Sequence, residues 1–212
     1  MPRREVGGGA ASVFYGGAEC GNADPGGQEM CDSRSYGNAD GMETNDVLIE
    51  AYGRIKEEVH SVLGGLTPDD LNSPPQGGAN PIGWLVWHLT RVQDDHVADV
   101  AGRDQVWTSE GWADRFGLGL PVEDTGYGHT PEQVAQVRVG SADLLLGYYD
   151  AVHERTLAYL GGLTAKDLDD VVDENWDPPV TLGVRLASVL SDDLQHVGQA
   201  AYARGLLQRA AS

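Results

Sequence analysis

From residue 44 onward, apolar residues recur at intervals of three and four, and four such stretches predict four helices. The first runs from about Thr44 to Leu63. Val47, Leu48, Ala51, Ile55, Val59 and Val62 form one stripe, Thr44 is placed to cap it, and Gly64-Gly65 stops it. The second begins at Asn80-Pro81, an N-cap followed by proline at the first helical position. It continues through IGWLVWHLTRVQDDHVADV and ends at Gly102. The third opens on Thr130-Pro131-Glu132-Gln133, which has the spacing of a capping box, and is expected to run to about Leu160 before Gly161-Gly162. The fourth follows Asp177-Pro178-Pro179, starts near Thr181 and reaches about Gln208. No stretch shows the period-two alternation of a strand.

The connection between the second and third helices, residues 103–130, is long for a compact domain. It has room to cross over the bundle and leave those two helices roughly parallel. Trp107, Trp112 and Phe116 are the residues expected to anchor it. The fold class this predicts is all-α, a four-helix bundle with a long crossover between helices two and three. A weak internal repeat supports two similar hairpins: Leu63-Gly64-Gly65-Leu66-Thr67 recurs as Leu160-Gly161-Gly162-Leu163-Thr164. Each copy is followed by an Asp-Leu pair (Asp70-Leu71, Asp167-Leu168), then by a helix with Gly83 or Gly183 near its start.

Residues 1–41 break this pattern. The segment is glycine-rich, has no period, and is expected to be a disordered tail, because it carries too little apolar surface to offset its chain entropy. The domain is therefore drawn at 42–212, with Met42 read as the natural start.

Charge narrows the partners. The net charge is −19, from 33 acids against 14 bases. Binding a phosphate backbone needs clustered Lys and Arg, so nucleic acid is excluded as a partner. An anionic membrane surface is excluded for the same reason. No run approaches the ~20 apolar residues of a membrane span, and no apolar run follows Arg3-Arg4 as in a secretory signal. The only cysteines, Cys20 and Cys31, lie in the glycine-rich segment, so no disulfide framework is expected and the expected compartment is the cytoplasm. Twelve of the 14 bases are Arg, which, with the Ala and Gly content, reads as a GC-rich genome.

Two of the six histidines have unusual surroundings. His88 shares an apolar arc of the second helix with Trp84, Leu85 and Val92, where an imidazole must find a partner. On the fourth helix Asp192 and His196 are four residues apart and share one face, at the edge of the stripe set by Leu182, Val189 and Ala200. A carboxylate–imidazole pair plus an imidazole from another helix makes a three-point site suited to Zn²⁺, Ni²⁺ or Fe²⁺, with positions left open. The spacing also occurs as a solvated ion pair. A histidine bonded to a backbone carbonyl is the competing reading. Asp95 falls back near the face of His88 as an outer hydrogen-bond acceptor, His96 is a replacement ligand, and Asp193 is an adjacent carboxylate whose i,i+3 geometry to His196 faces further round. His60, His129 and His153 read as solvated or structural. Arg91 reads as an anion-binding group or a surface ion pair.

The first helix ending in LGGLT, the second with NPIGWLVWHLTRV, the long crossover, and the last helix with SDDLQHVGQAAYARG together resemble the DinB/YfiT-like superfamily. Within it, the chain resembles the mycothiol-dependent maleylpyruvate isomerase type over about residues 44–208. The resemblance implies a metal held by His88, Asp192 and His196, with Gln199 of His196-Val197-Gly198-Gln199 as an outer contact. It implies a metal-dependent thiol S-transferase or isomerase, zinc first among the metals, using a low-molecular-weight thiol on a small electrophile. The GC-rich signature makes mycothiol the expected thiol. A metal-dependent hydrolase with the same ligands is the alternative enzyme. A non-catalytic helical module, pairing as a homodimer through one bundle face, is the alternative outside enzymes.

Overall fold

The computed structural model describes residues 42–75 and 77–210. The glycine-rich segment 1–41, expected to be disordered, lies outside the described residues with Cys20 and Cys31. Four long helices dominate: α1 (Thr44–Leu63), α3 (Ile82–Ala101), α7 (Ala142–Leu160) and α8 (Leu182–Ala210). Short helices α2 (Pro68–Asn72), α4 (Val106–Ser109), α5 (Trp112–Phe116) and α6 (Pro131–Val134) lie in the connections. The fold is all-α in class. Its one sheet among the described residues is a two-stranded antiparallel pair, β1 (Val171–Asp173) with β2 (Val180–Thr181), just ahead of α8.

The expected stripes form the core. Ile55, Val59 and Val62 of α1, Leu85 and Leu89 of α3, Leu145 and Val152 of α7, and Val189 and Ala200 of α8 are buried together. On α1 the inward face is turned slightly from the one expected: Val47 is exposed and Tyr52 is fully buried. Tyr52 shares the face of Ile55 and Val59 at helical spacing, and its size gives it more apolar surface to bury. The cap of α1 is Glu43 rather than Thr44, in a reciprocal arrangement with Asp46.

The predicted third helix divides in two. Thr130 caps α6 through the expected box with Gln133. The chain then leaves the helix, because the Val139 backbone pairs elsewhere. Its N–H donates to Asn72 Oδ1 and its carbonyl accepts from Asn72 Nδ2, both at 2.8 Å. Ser141 then caps α7, accepting from the Leu144 amide.

The repeat is structural. Thr67 donates its hydroxyl and amide to Asp70, and Thr164 does the same to Asp167. The first copy opens α2, and the second opens a 3₁₀ turn, Asp167–Asp169. In both, the glycine that follows packs against the carbonyl of the repeated leucine: Gly83 on Leu71, Gly183 on Leu168.

The crossover is clamped to the bundle by buried polar groups. Asp94 of α3 accepts from the amides of Val106 and Trp107 at the start of α4, and from the Tyr148 hydroxyl of α7. Trp107, Trp112 and Phe116 are buried as expected, and all three rings pack against Tyr148.

Candidate metal centre

His88 lies in the apolar arc of α3 and is buried. Trp84, one turn earlier, stacks on its ring, with centroids 4.7 Å apart and planes 17° from parallel. Its Nδ1 is 2.5 Å from the Thr125 carbonyl in the crossover. A carbonyl only accepts, so Nδ1 carries the proton and Nε2 keeps a free lone pair. Burial pushes the imidazole pKa down from its ordinary value, and the Thr125 carbonyl opposes this. His88 is therefore neutral near pH 7, the state a metal ligand needs.

Asp192 and His196 stand one turn apart on α8, with side chains 33% and 18% exposed. His196 Nδ1 donates to Gln199 Oε1 at 3.0 Å, which leaves Nε2 facing Asp192 Oδ1 at 3.6 Å. Burial works to raise the Asp192 pKa. The close approach of His196, and the charges of His196 and His88, outweigh it, so the carboxyl lies below its usual range. The same closeness to Asp192 raises the His196 pKa, against burial.

The three side chains converge. One donor atom from each of His88, Asp192 and His196 lies within 4.8 Å of the others, and no second such trio of His, Cys, Asp and Glu occurs among the described residues. The imidazoles of His88 and His196 meet edge to face at 4.8 Å. Asp192 Oδ2 is buried without a hydrogen-bond partner. An orphaned carboxylate oxygen beside two imidazoles is short of a positive partner, and a divalent cation fits that need.

Other expected roles change. Asp95 accepts from Gln105 Nε2, so it is not an acceptor for His88. His96 accepts at Nδ1 from Arg185 and stands outside the trio. Asp193 stands outside the trio, in line with its spacing, and is fully buried with both oxygens unpartnered. Arg91 is no surface group. It is fully buried and donates to the Asp124 and Val122 carbonyls, to Gln105 and to Tyr148. His60 forms an exposed pair with Asp150, and His153 is buried. The contribution of Thr125 was not legible, because it acts through a backbone carbonyl and any residue type supplies one.

A helical bundle that brings two imidazoles and a carboxylate to one interior point has the donor set of a divalent transition-metal protein. The chain belongs to the DinB superfamily, whose family model matches residues 51–200. A crystal structure of a conserved protein from Enterococcus faecalis has the same fold, with a TM-score of 0.73 at 36% sequence identity. The match covers 78% of this chain and 97% of that one. No curated protein matches the chain.

Proposed function

We propose that this chain holds one divalent metal ion through His88, Asp192 and His196, and serves as a metal-dependent thiol transferase or isomerase on a small electrophile. The observation that carries the metal reading is the orphaned Asp192 oxygen beside two imidazoles whose Nδ1 atoms are already committed. A bound divalent cation supplies Lewis acidity, which lowers the pKa of a coordinated thiol from about 8.5 into the neutral range.

The chain's own residues orient and shield. Thr125 and Gln199 each hold an Nδ1 proton, so both imidazoles present Nε2 to the same point. Trp84 covers one side of the site with its ring, in contact with both His88 and His196. Asp192 and His196 stay partly exposed, which leaves a route for a small ligand. The cysteines lie outside the DinB region, so a diffusible thiol is the nucleophile this reading requires. Mycothiol is the first candidate, on the composition of the chain, and zinc the first metal.

The test is optical. Cobalt-loaded protein titrated with mycothiol is expected to develop a thiolate-to-cobalt charge-transfer band, absent in His196→Ala. Cobalt binding with no such band from mycothiol or other small thiols would refute the thiol reading and leave water as the activated group. No cobalt binding would refute the metal reading itself.

A further inference from the structure

We propose that the crossover loop is a working part of the centre, in which Asp124 and His129 are positioning residues that hold the Thr125 carbonyl against His88. This rests on the metal reading above and concerns how one ligand is aimed.

The contacts close into a ring. Asp124 Oδ1 accepts from the Gly126 amide at 2.8 Å and from His129 Nε2 at 2.9 Å, which pins the turn that contains Thr125. His129 Nδ1 accepts from the Trp84 indole N–H at 3.2 Å. Trp84 stacks on His88, and His88 donates to Thr125. Each member therefore fixes the next, and the circuit passes through the metal ligand. The His129 side chain is 3% exposed and Asp124 is 18% exposed, so solvent screens these bonds little. Arg91 holds the same turn from the bundle side, donating to the Asp124 carbonyl at 3.1 Å and the Val122 carbonyl at 3.3 Å.

The turn sits too close to His88 to be a passive cover. Gly126 has φ +88°, and a Cβ there would lie 2.9 Å from both His88 Nδ1 and Trp87 Cζ3. Only glycine lets the backbone come near enough for its neighbour's carbonyl to reach the ring. His129 also stacks on Trp87, with centroids 6.1 Å apart, and Trp84 meets it at a tilt on the same spacing, so its ring orientation is held by packing as well as by hydrogen bonds. A loop needed only for packing has no use for an oriented carboxylate–imidazole–indole chain that ends on a ligand.

Cobalt affinity and the cobalt d–d spectrum of the full chain test this, alongside apo-state thermal melting. Asp124→Ala and His129→Phe are expected to weaken binding about 10- to 100-fold and to shift the spectrum. Asp124→Asn keeps an oxygen for the two bonds that Oδ1 takes but sets an amide N–H where Oδ2 accepts from His129 Nε2 at 3.0 Å, so it is expected to bind more tightly than Asp124→Ala and more weakly than the parent. Glu110→Ala breaks an exposed crossover pair with Arg155 and is expected to leave affinity unchanged. If Asp124→Ala fails to fold, Trp84→Phe keeps a stacked ring without the N–H and is expected to lose affinity several-fold. Wild-type affinity and spectrum in His129→Phe or Trp84→Phe, with tight binding by the parent, overturn this inference alone. Absence of binding by the parent overturns the metal reading and this inference with it.

Discussion

His153 shows what burial does to a single imidazole in this fold. It lies on α7 against Tyr149, with Lys56 and His60 of α1 and Asp150 as its titratable neighbours. Burial lowers its pKa from 6.5 to about 4, Lys56 adding to the effect and Asp150 opposing it. A depressed pKa makes the folded state bind this proton less readily than the unfolded state. The stabilisation is complete above about pH 6.5 and is lost as the pH falls toward 4. His153→Phe is expected to remove about 2 kcal/mol of the stability lost between pH 7 and pH 4.5. Urea melts of both proteins across that range check it, and parallel curves would refute it. Asp193 has the opposite sign: burial first, and then Asp192, push its carboxyl well above the usual range. At this scale the sequence revealed the three converging side chains, because His88 broke an apolar arc and Asp192 and His196 kept helical spacing. It misplaced Arg91, since a charged residue reads as surface until its partners are seen, and it gave no sign that Asp193 is fully buried without a partner.

At the scale of elements, the four long helices were legible because each carries a 3.6-residue stripe, and the first three end on glycine. The break between α6 and α7 was not. It depends on Asn72, far away in sequence, capturing both backbone groups of Val139. The short strands escaped notice because two or three residues cannot display an alternation. The LGGLT repeat was legible, and its two glycines make unequal predictions. A Cβ at Gly83 would lie 2.9 Å from the Leu71 carbonyl oxygen and 3.1 Å from Val139 Cγ2, whereas one at Gly183 would lie 3.2 Å from the Leu168 carbonyl oxygen. Overpacking against backbone costs about 1–3 kcal/mol, while alanine gains up to ~1 kcal/mol in helix propensity. Gly83→Ala is therefore expected to destabilise by about 1–2 kcal/mol, and Gly183→Ala by less. Chemical denaturation of the two variants checks the order, and a reversed order would contradict the closer packing at Gly83.

At the scale of the whole molecule, an acidic chain folds a helical bundle and seals one side of a His/His/Asp cluster with its crossover. No helix among the described residues is long and apolar enough to cross a membrane. The match over residues 51–200 includes every residue that supplies a donor to the cluster. Ligand binding stabilises a fold by an amount that grows with ligand concentration over Kd, so a metal at 100 times its Kd raises stability by about 2.7 kcal/mol. The most direct measurement is metal stoichiometry by equilibrium titration of tag-free protein, with the His88→Ala, Asp192→Ala and His196→Ala variants in parallel. One divalent ion per chain in the parent, with binding lost or sharply weakened in each variant, is the predicted result. Binding that none of the three substitutions alters, or no binding in the parent, would contradict it.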